Sequence, residues 1–432
     1  MFLSAVSVPT VDMNGMPSFS MLIEQTTGET WATPHGRQVQ DLARGSSPLH
    51  IAIYDYKITR NNPAGSCHLA MLRALAAEHN FTVFAVEFEN PCPDKIQFVR
   101  VPSPTRPLAL LFIVYHFMAP LCYLLYRLRG GVKPDLIQAL ESNLSFGNIL
   151  YAHFCHGMYL KHHWSKSGAK GLRGWFRWID HQLHAWMEKF TYPRAKQVVV
   201  PSQGLAKELR AEFPYIQDRL TVLPNPINLP RLQKPAEFDR QAFRHGLGMD
   251  DQDLVGLFVA LGQFERKGLP LVMQALASAG MERVKLIVVG GEADLIARYR
   301  ERAEKLGIGD RINFVGMQSD VRPYLWSSDV FVFPSLYETF SLVTYEAAAA
   351  GLPIVASQLY GVEDLLVDGD NGFLIETTAA GVRDGLQRIL SQSAADRYRM
   401  GQRARQAASA CSEDHFVEAW RAFYLRLTHP RN

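Results

Sequence analysis

In the segment GQFERKGL (262–269), an apolar run ends at Gly262, Arg266 and Lys267 stand side by side, and Gly268 precedes a second apolar run. Glycines let a backbone come close to a ligand, and two adjacent cations neutralise a phosphate or diphosphate. A solvated basic turn is the bland alternative, because adjacent cations are common. A second segment, YETFSLVTYEAAAAG (337–351), places Glu338 just before an alanine-rich run that stops at Gly351, with Pro353 beyond. Those residue types predict a helix beginning around Phe340 to Leu342 and ending at the glycine. The first N–H groups of that helix, on Phe340, Ser341 and Leu342, would form an anion site. Glu346 falls one to two turns inside it. Two carboxylates eight positions apart have an ordinary reading as well: Glu338 complementing the helix dipole and Glu346 exposed.

The elements that would carry these segments alternate. HIAIYDY (50–56), FTVFAVEF (81–88), DLIQAL (135–140), NILYAHF (148–154) and QVVVPS (197–202) read as strands, and CHLAMLRALAAEH (67–79) as a helix between the first two. RLTVLPNPINLPRLQKP (219–235) carries four prolines and reads as a break. A second series follows, with strands LVGLFVAL (254–261), VKLIVVGG (284–291), RINFVG (311–316), VFVFPS (330–335) and PIVAS (353–357). Two such βα series predict two α/β domains with parallel sheets, and ligands of such sheets bind at the carboxyl ends of the strands. The expected organisation is an extension over 1–47 with little structure of its own, a first domain over 48–225, a linker over 226–250, a second domain over 251–410, and a C-terminal helix over 411–432 that either packs back on the first domain or does not.

With 47% hydrophobic and 20% charged residues, the chain has the composition of a globular protein, which excludes wholesale disorder and collagen-like repeats. Forty-five basic against 42 acidic side chains give a net charge of +3, no support for a nucleic-acid coat. Five cysteines without a CxxC pair argue against a disulfide framework or structural zinc site. Together with a start, MFLSAVSVPT, that lacks the basic region of a secretory signal, they predict a cytoplasmic location.

One stretch stands apart. LALLFIVYHFMAPLCYLLY (108–126) has 19 residues without a formal charge, between Arg106 and Arg127. That length approaches a membrane span, while His116 and Pro120 near its middle argue against one. A span, a buried helix and a helix lying on a bilayer all remain open. Residues 161–189 mix Lys, Arg and His with Trp164, Trp175, Trp178 and Trp186, a combination suited to lipid headgroups or to an ordinary solvated helix.

Taken in order, VVVPSQGLAKEL, VLPNPI, LGQFERKGL, LIVVGG, RINFVGMQSDVRPYLWSSDVFVFPSLYETFSLVTYEAAAAGLPIVAS and GVEDLLVDGDNGFLI resemble the landmarks of retaining glycosyltransferases of family 4. The resemblance covers residues 197–376. Before them only the strand pattern and KPDLIQA match. It implies the GT-B fold, two Rossmann-like doubly wound domains facing across a cleft. It also implies that a sugar passes from a nucleotide-diphosphate donor to a hydroxyl acceptor. Carried over residue by residue, Arg266 and Lys267 match the cations on the donor diphosphate, and Glu338 the acid beside the transferred sugar. Glu346 matches the acid that bonds the nucleotide ribose. Met317 falls where the family backbone meets the base, and Gly65 in the first N-domain loop, which approaches the diphosphate. In YAHFCHGMYL (151–160), His156 resembles the family's strand-end histidine near the transferred sugar, with His153 the competing position. Two positions depart from the pattern: Gln263 stands where an arginine is common, and Ser341 where glycine is frequent.

The family implication is a UDP- or GDP-sugar as donor substrate, with no metal and no separate cofactor. The apolar stretch and the Trp-rich basic segment favour a glycan or lipid-linked acceptor in cell-surface polysaccharide or glycolipid assembly, with peripheral contact expected at the inner face of the membrane. A sugar-nucleotide epimerase on the same fold and a non-catalytic nucleotide-sugar-binding protein are the alternatives.

Overall fold

The computed structural model describes residues 47–166 and 171–428; apart from Ser47, the expected N-terminal extension lies outside them. Residues 48–423 form one compact unit, and the only other described residues are Ser47 and 424–428 at the end of the last helix.

That unit has two lobes, each built on a parallel sheet. In the first, β1 (His50–Tyr54), β2 (Asn80–Ala85), β3 (Ile96–Arg100), β4 (Leu136–Leu140), β5 (Ile149–Tyr151), β6 (Gln197–Val200) and β7 (Leu220–Val222) pair in the order β3-β2-β1-β4-β5-β6-β7. In the second, β8 (Leu254–Val259), β9 (Val284–Val289), β10 (Ile312–Gly316), β11 (Val330–Phe333), β12 (Ile354–Ser357) and β13 (Gly372–Ile375) pair in the order β10-β9-β8-β11-β12-β13. Strands such as LVGLFV and VFVF are apolar along their whole length because helices cover both faces of the sheet. Strand order reverses between β1 and β4 in one lobe and between β8 and β11 in the other. Such reversals open a crevice at the strand ends, so the loops leaving these four strands are the natural site carriers.

The helices used below are α1 (Pro63–Leu75), α2 (Leu108–Leu128), α3 (His156–His162), α4 (Gly171–Arg194), α5 (Gln203–Glu212), α6 (Arg240–Gly246), α7 (Leu269–Leu276), α8 (Leu342–Ala349) and α9 (Glu413–Thr428). Asn62 caps α1 by accepting from the N–H of Gly65, with Pro63 at the first helical position. This start lies four residues ahead of the helix expected from apolar periodicity, because Pro63 and the Asn62 cap, which add no apolar repeat, open the helix. Within the described part of α9, Arg421 forks onto both carboxylate oxygens of Glu78, at 2.7 and 2.6 Å, and the Trp420 ring lies 5.1 Å from that of Tyr151. Residues 413–423 of α9 are thereby tied to the first lobe.

The proline-rich break is narrower than the sequence predicts. Leu220–Val222 is the edge strand of the first sheet, ahead of Pro224. The expected linker over 226–250 contains the one-turn helix Leu229–Leu232 and α6. Helix α6 is anchored to the second lobe: buried Arg244 donates through Nε to the Ser327 carbonyl and through Nη2 to Asp329, both at 2.6 Å. Asp329 also accepts from Arg240 at 2.5 Å and from the N–H of Val255, at the head of β8, at 2.8 Å. Removing one partner of such a pair strands the other charge. Arg244→Ala is therefore expected to destabilise the second lobe by about 3 kcal/mol, read by urea unfolding.

Candidate active site

The loop after β8 and the loop after β11 are sewn together at the strand-order reversal of the second lobe. Leu336 N–H donates to the Arg266 carbonyl at 2.9 Å, and Arg266 Nη1 donates to the Tyr337 carbonyl at 2.6 Å. Gly268 has φ of 82°, and a β-carbon there would stand 2.1 Å from the Pro334 carbonyl oxygen, so only glycine fits. The loops bring three charges together. Lys267 Nζ lies 2.5 Å and Arg266 Nη1 3.8 Å from Glu338 Oε1, which also accepts from Ser335 Oγ at 2.8 Å. Burial tends to raise the Glu338 carboxyl, but Lys267, Arg266 and Ser335 outweigh it and hold the acid below its ordinary value. Burial likewise pulls the Lys267 ammonium down, and Glu338 offsets this only in part. Glu338 is an ionised acid locked between two cations, with no exposed cap position.

Helix α8 starts at Leu342 with Ser341 as its N-cap. Its first internal bond runs from Thr344 N–H to the Ser341 carbonyl at 2.9 Å, so the N–H groups of Phe340, Ser341 and Leu342 precede the helical ladder. Ser341 has φ of 64°, the left-handed conformation that favours glycine. The departure at this position keeps the backbone shape, with the hydroxyl 2.7 Å from Thr344 Oγ1. Ala347, Ala348 and Ala349, after Glu346, are fully buried. Behind them a β-carbon at Gly401, in the helix Ala394–Ala408, would stand 1.9 Å from the Gly351 carbonyl oxygen. Backbone contact thus sets the depth of α8. Glu346 is partly buried instead of exposed; burial raises its carboxyl to about 7, opposed by Arg231. Met317 follows Gly316 at the end of β10 and is exposed.

The first lobe contributes a buried polar cluster at the ends of β4 and β5. His156 is the first residue of α3, not a strand-end residue; its N–H and that of Gly157 donate to Glu188 at 2.7 and 3.0 Å. Its ring places Nε2 3.4 Å from Glu141 Oε2 and Nδ1 3.0 Å from His181 Nδ1, and stacks on His184 at 4.3 Å. Burial lowers His156 to about 3 and raises Glu141 to about 7. His153 is nearer the end of β5 and bonds Asn225 at 3.1 Å. Among the described residues, Glu141, His156 and His184 have ligand-type atoms within 4.8 Å of one another. On one zinc, with bonds of about 2 Å, ligand atoms sit roughly 3.3 Å apart. Hydrogen bonds to His181 and Ser142 already engage the two imidazoles. Gly65 is not in a loop but in the first turn of α1, where a β-carbon would strike the Lys57 carbonyl at 2.1 Å. Close packing is what requires glycine there.

The two lobes meet beside these residues. Ser202 Oγ donates to the Thr339 carbonyl at 2.6 Å, and Tyr337 Oη to Glu208 of α5 at 3.0 Å. The Tyr337 ring enters the first lobe among Phe154, Tyr159 and His163, at centroid distances of 5.6, 5.3 and 4.2 Å.

Two family profiles match the chain, one per lobe: Glycosyltransferase Family 4 over residues 66–231 and Glycosyl transferases group 1 over residues 239–407. The chain belongs to the family-4, group 1 glycosyltransferases. It is 27% identical over 327 residues to an uncharacterized glycosyltransferase of Methanocaldococcus jannaschii, covering 72% of this chain and 81% of the relative. It is 33% identical over 139 residues to the lipopolysaccharide core biosynthesis glycosyltransferase LpsE of Rhizobium meliloti, covering 32% of this chain and 39% of that one. In fold it is similar to WaaG, a glycosyltransferase involved in lipopolysaccharide biosynthesis, with TM-score 0.70 at 18% identity over 88% of this chain and 100% of WaaG. It is also similar to Anabaena HepE in complex with UDP-glucose, with TM-score 0.64 at 18% identity over 88% and 100%.

Helix α4 adds residues to the candidate site that the sequence did not single out. Arg177 Nη2 reaches Gln263 Oε1 at 3.5 Å, and Gln263 in turn accepts from Arg266 Nε at 2.8 Å. Gln263 therefore joins the cation loop to the first lobe. One turn along α4, His181 contacts His156 and is more accessible than it. His156 thus shares one hydrogen bond with His181 Nδ1 and one with Glu141, and its tautomer follows the protonation of Glu141. The i, i+4 spacing of Arg177 and His181 was the available signal, hidden among many other cations and aromatics of 161–189.

A folded glycosyltransferase resists ionising Glu346 until about pH 7, whereas the unfolded chain ionises it near 4.5. This acid therefore binds more protons folded than unfolded in that window, and stability falls as pH rises through it. Glu346→Gln is expected to melt progressively higher than wild type as pH goes from about 5 to about 8, the gap measured by thermal scans.

Proposed function

We propose that this glycosyltransferase transfers a sugar from a UDP- or GDP-sugar to a hydroxyl of a glycan or lipid-linked acceptor, with retention at the anomeric carbon. We place the reaction at the cytoplasmic side of the membrane, in cell-surface polysaccharide or glycolipid assembly. The observation that carries the reading is the convergence of Lys267, Arg266 and Glu338 at the strand-order reversal, next to the N-terminus of α8. The lipopolysaccharide roles named for LpsE and WaaG and the UDP-glucose bound by HepE support the substrate classes.

As the bond between sugar and diphosphate lengthens, the sugar becomes oxocarbenium-like and the diphosphate gains negative charge. Lys267, Arg266 and the N–H groups of Phe340, Ser341 and Leu342 would stabilise that leaving group in a largely dry site. Glu338, ionised and fixed by its three partners, would sit by the transferred sugar. Glu346 would bond the ribose, and Met317 would lie by the base. His156 would face the sugar through the network it shares with Glu141 and His181. The chemistry asks for neither a metal nor a separate cofactor, so turnover is expected to survive EDTA.

A donor screen that reads release of UDP or GDP, with and without membrane lipid extract, tests the assignment. Acceptor-dependent release is the expected result, with an α-donor giving an α-product by NMR. Lys267→Ala should cut turnover by about a hundredfold or more, since losing one such donor typically costs about 2.7–4 kcal/mol of transition-state stabilisation. Turnover within twofold of wild type would remove Lys267 from the diphosphate site. Product formed without acceptor would instead mark an epimerase.

A further inference from the structure

Helix α2 is apolar on both sides, yet only one side is used by the fold. Leu111, Tyr115 and Ala119 are buried against the first sheet, and Tyr115 Oη donates to the Phe84 carbonyl at 2.7 Å. The opposite side carries Leu110, Ile113, Phe117, Leu121, Leu124 and Leu128, one per helical turn, all exposed; Phe117 is 75% and Leu128 73% accessible. At 1.5 Å per residue the stripe is about 27 Å long.

Helix α4 packs beside α2, with the Phe112 and His184 rings 4.4 Å apart, and is divided in the same way. Arg177, His181, His184 and Glu188 share its inner side, facing the cluster described above. On the reverse side stand Leu172, Trp175, Trp186 and Phe190, exposed, with the two tryptophans 54% and 55% accessible. Charge is distributed to match. Between Asp94 and Asp135 the chain has no acidic residue, while Arg106, Arg127, Arg129 and Lys133 flank α2 on its exposed ends. The acidic residues of α4, Asp180 and Glu188, are largely withdrawn from solvent, whereas Lys189 and Arg194 are exposed.

We propose that the outer sides of α2 and α4 form a monotopic docking surface for an anionic phospholipid bilayer, entered to the depth of the headgroups and upper acyl chains. Leucines and phenylalanines enter the acyl boundary, tryptophans sit at headgroup level, and the flanking cations meet lipid phosphate. Among the described residues, the outer sides of α2 and α4 themselves carry no exposed carboxylate, which makes them complementary to a negative surface. A span is ruled out by the inner side of α2, because lipid around the whole helix would require its removal from the sheet. The bilayer fixes the orientation of α4, and α4 carries Arg177 and His181 on its other side. A lipid-linked acceptor would then be presented to the site from the same helix that touches the membrane, a consequence that rests on the proposed transfer reaction.

The test is flotation of the full-length protein with vesicles of neutral phosphatidylcholine and of phosphatidylcholine with about 30% phosphatidylglycerol. Binding to the anionic vesicles, weakened about fivefold or more by high salt, is expected. The double variant Phe117→Glu/Leu124→Glu should lose about tenfold or more of that partitioning with an unchanged melting temperature, because both side chains are exposed. The proposal is overturned by failure to bind either vesicle, or by equal binding of the variant. Integration that resists alkaline carbonate would overturn it in favour of a span. A wild-type dimer dispersed by the same substitutions would show that a second copy covers this side. Flotation requires no turnover, so it can succeed when the donor screen fails, and the reverse.

Discussion

A lysine ammonium and a glutamate carboxylate, 2.5 Å apart and both largely out of water, impose the central constraint on this molecule. Either charge alone would be expensive to bury, and the pair is tolerable only when its remaining hydrogen-bond capacity is met. Ser335 takes one lone pair of Glu338, and Arg266 sits close enough to share the charge. Those partners come from two separate loops, so the loops must be held in register. Hence Gly268 is pressed against Pro334, and the Arg266 carbonyl is bonded to Leu336. In the proposed donor complex, the diphosphate would share Lys267 with Glu338, which would bring the sugar next to that acid.

The parallel sheets explain why this constraint can be met at all. Strands β8 and β11 are neighbours across the strand-order reversal, so their following loops emerge side by side. The first lobe repeats the device with β1 and β4, and its buried Glu141 and histidines are placed at the equivalent edge. Helix α4 links the two halves: it donates to Gln263 on one lobe and holds the N-terminus of α3 through Glu188 on the other. It is a structural strut and a site element together.

Much of this was legible in the residues. Proline, glycine and alanine punctuate α8 by local rules, and those rules place its ends within two residues. The cation pair and Glu338 lie on loops whose strands are continuous apolar runs, so their meeting follows from the alternation. What was not legible depended on partners distant in sequence. Leu220–Val222 looks like linker because its edge position is defined only by β6. Gly65 looks like a loop glycine because the carbonyl that forbids a side chain there belongs to Lys57. His181 and Arg177 were hidden for a different reason: α4 has two opposed sides with separate tasks, and a composition count averages them.

The seating of Tyr337 sets a limit on lobe motion. Its ring is almost fully buried among first-lobe aromatics, and the next residue is Glu338. Exposing one such ring costs about 2–3 kcal/mol. From this ring alone, a hinge-opened form would be occupied by roughly one molecule in thirty to one in a hundred and fifty. Any substrate that must enter through the open form meets an affinity reduced by that fraction. Reclosure reseats the tyrosine against the first lobe, while Glu338 and its cations, all carried by the second lobe, stay together throughout.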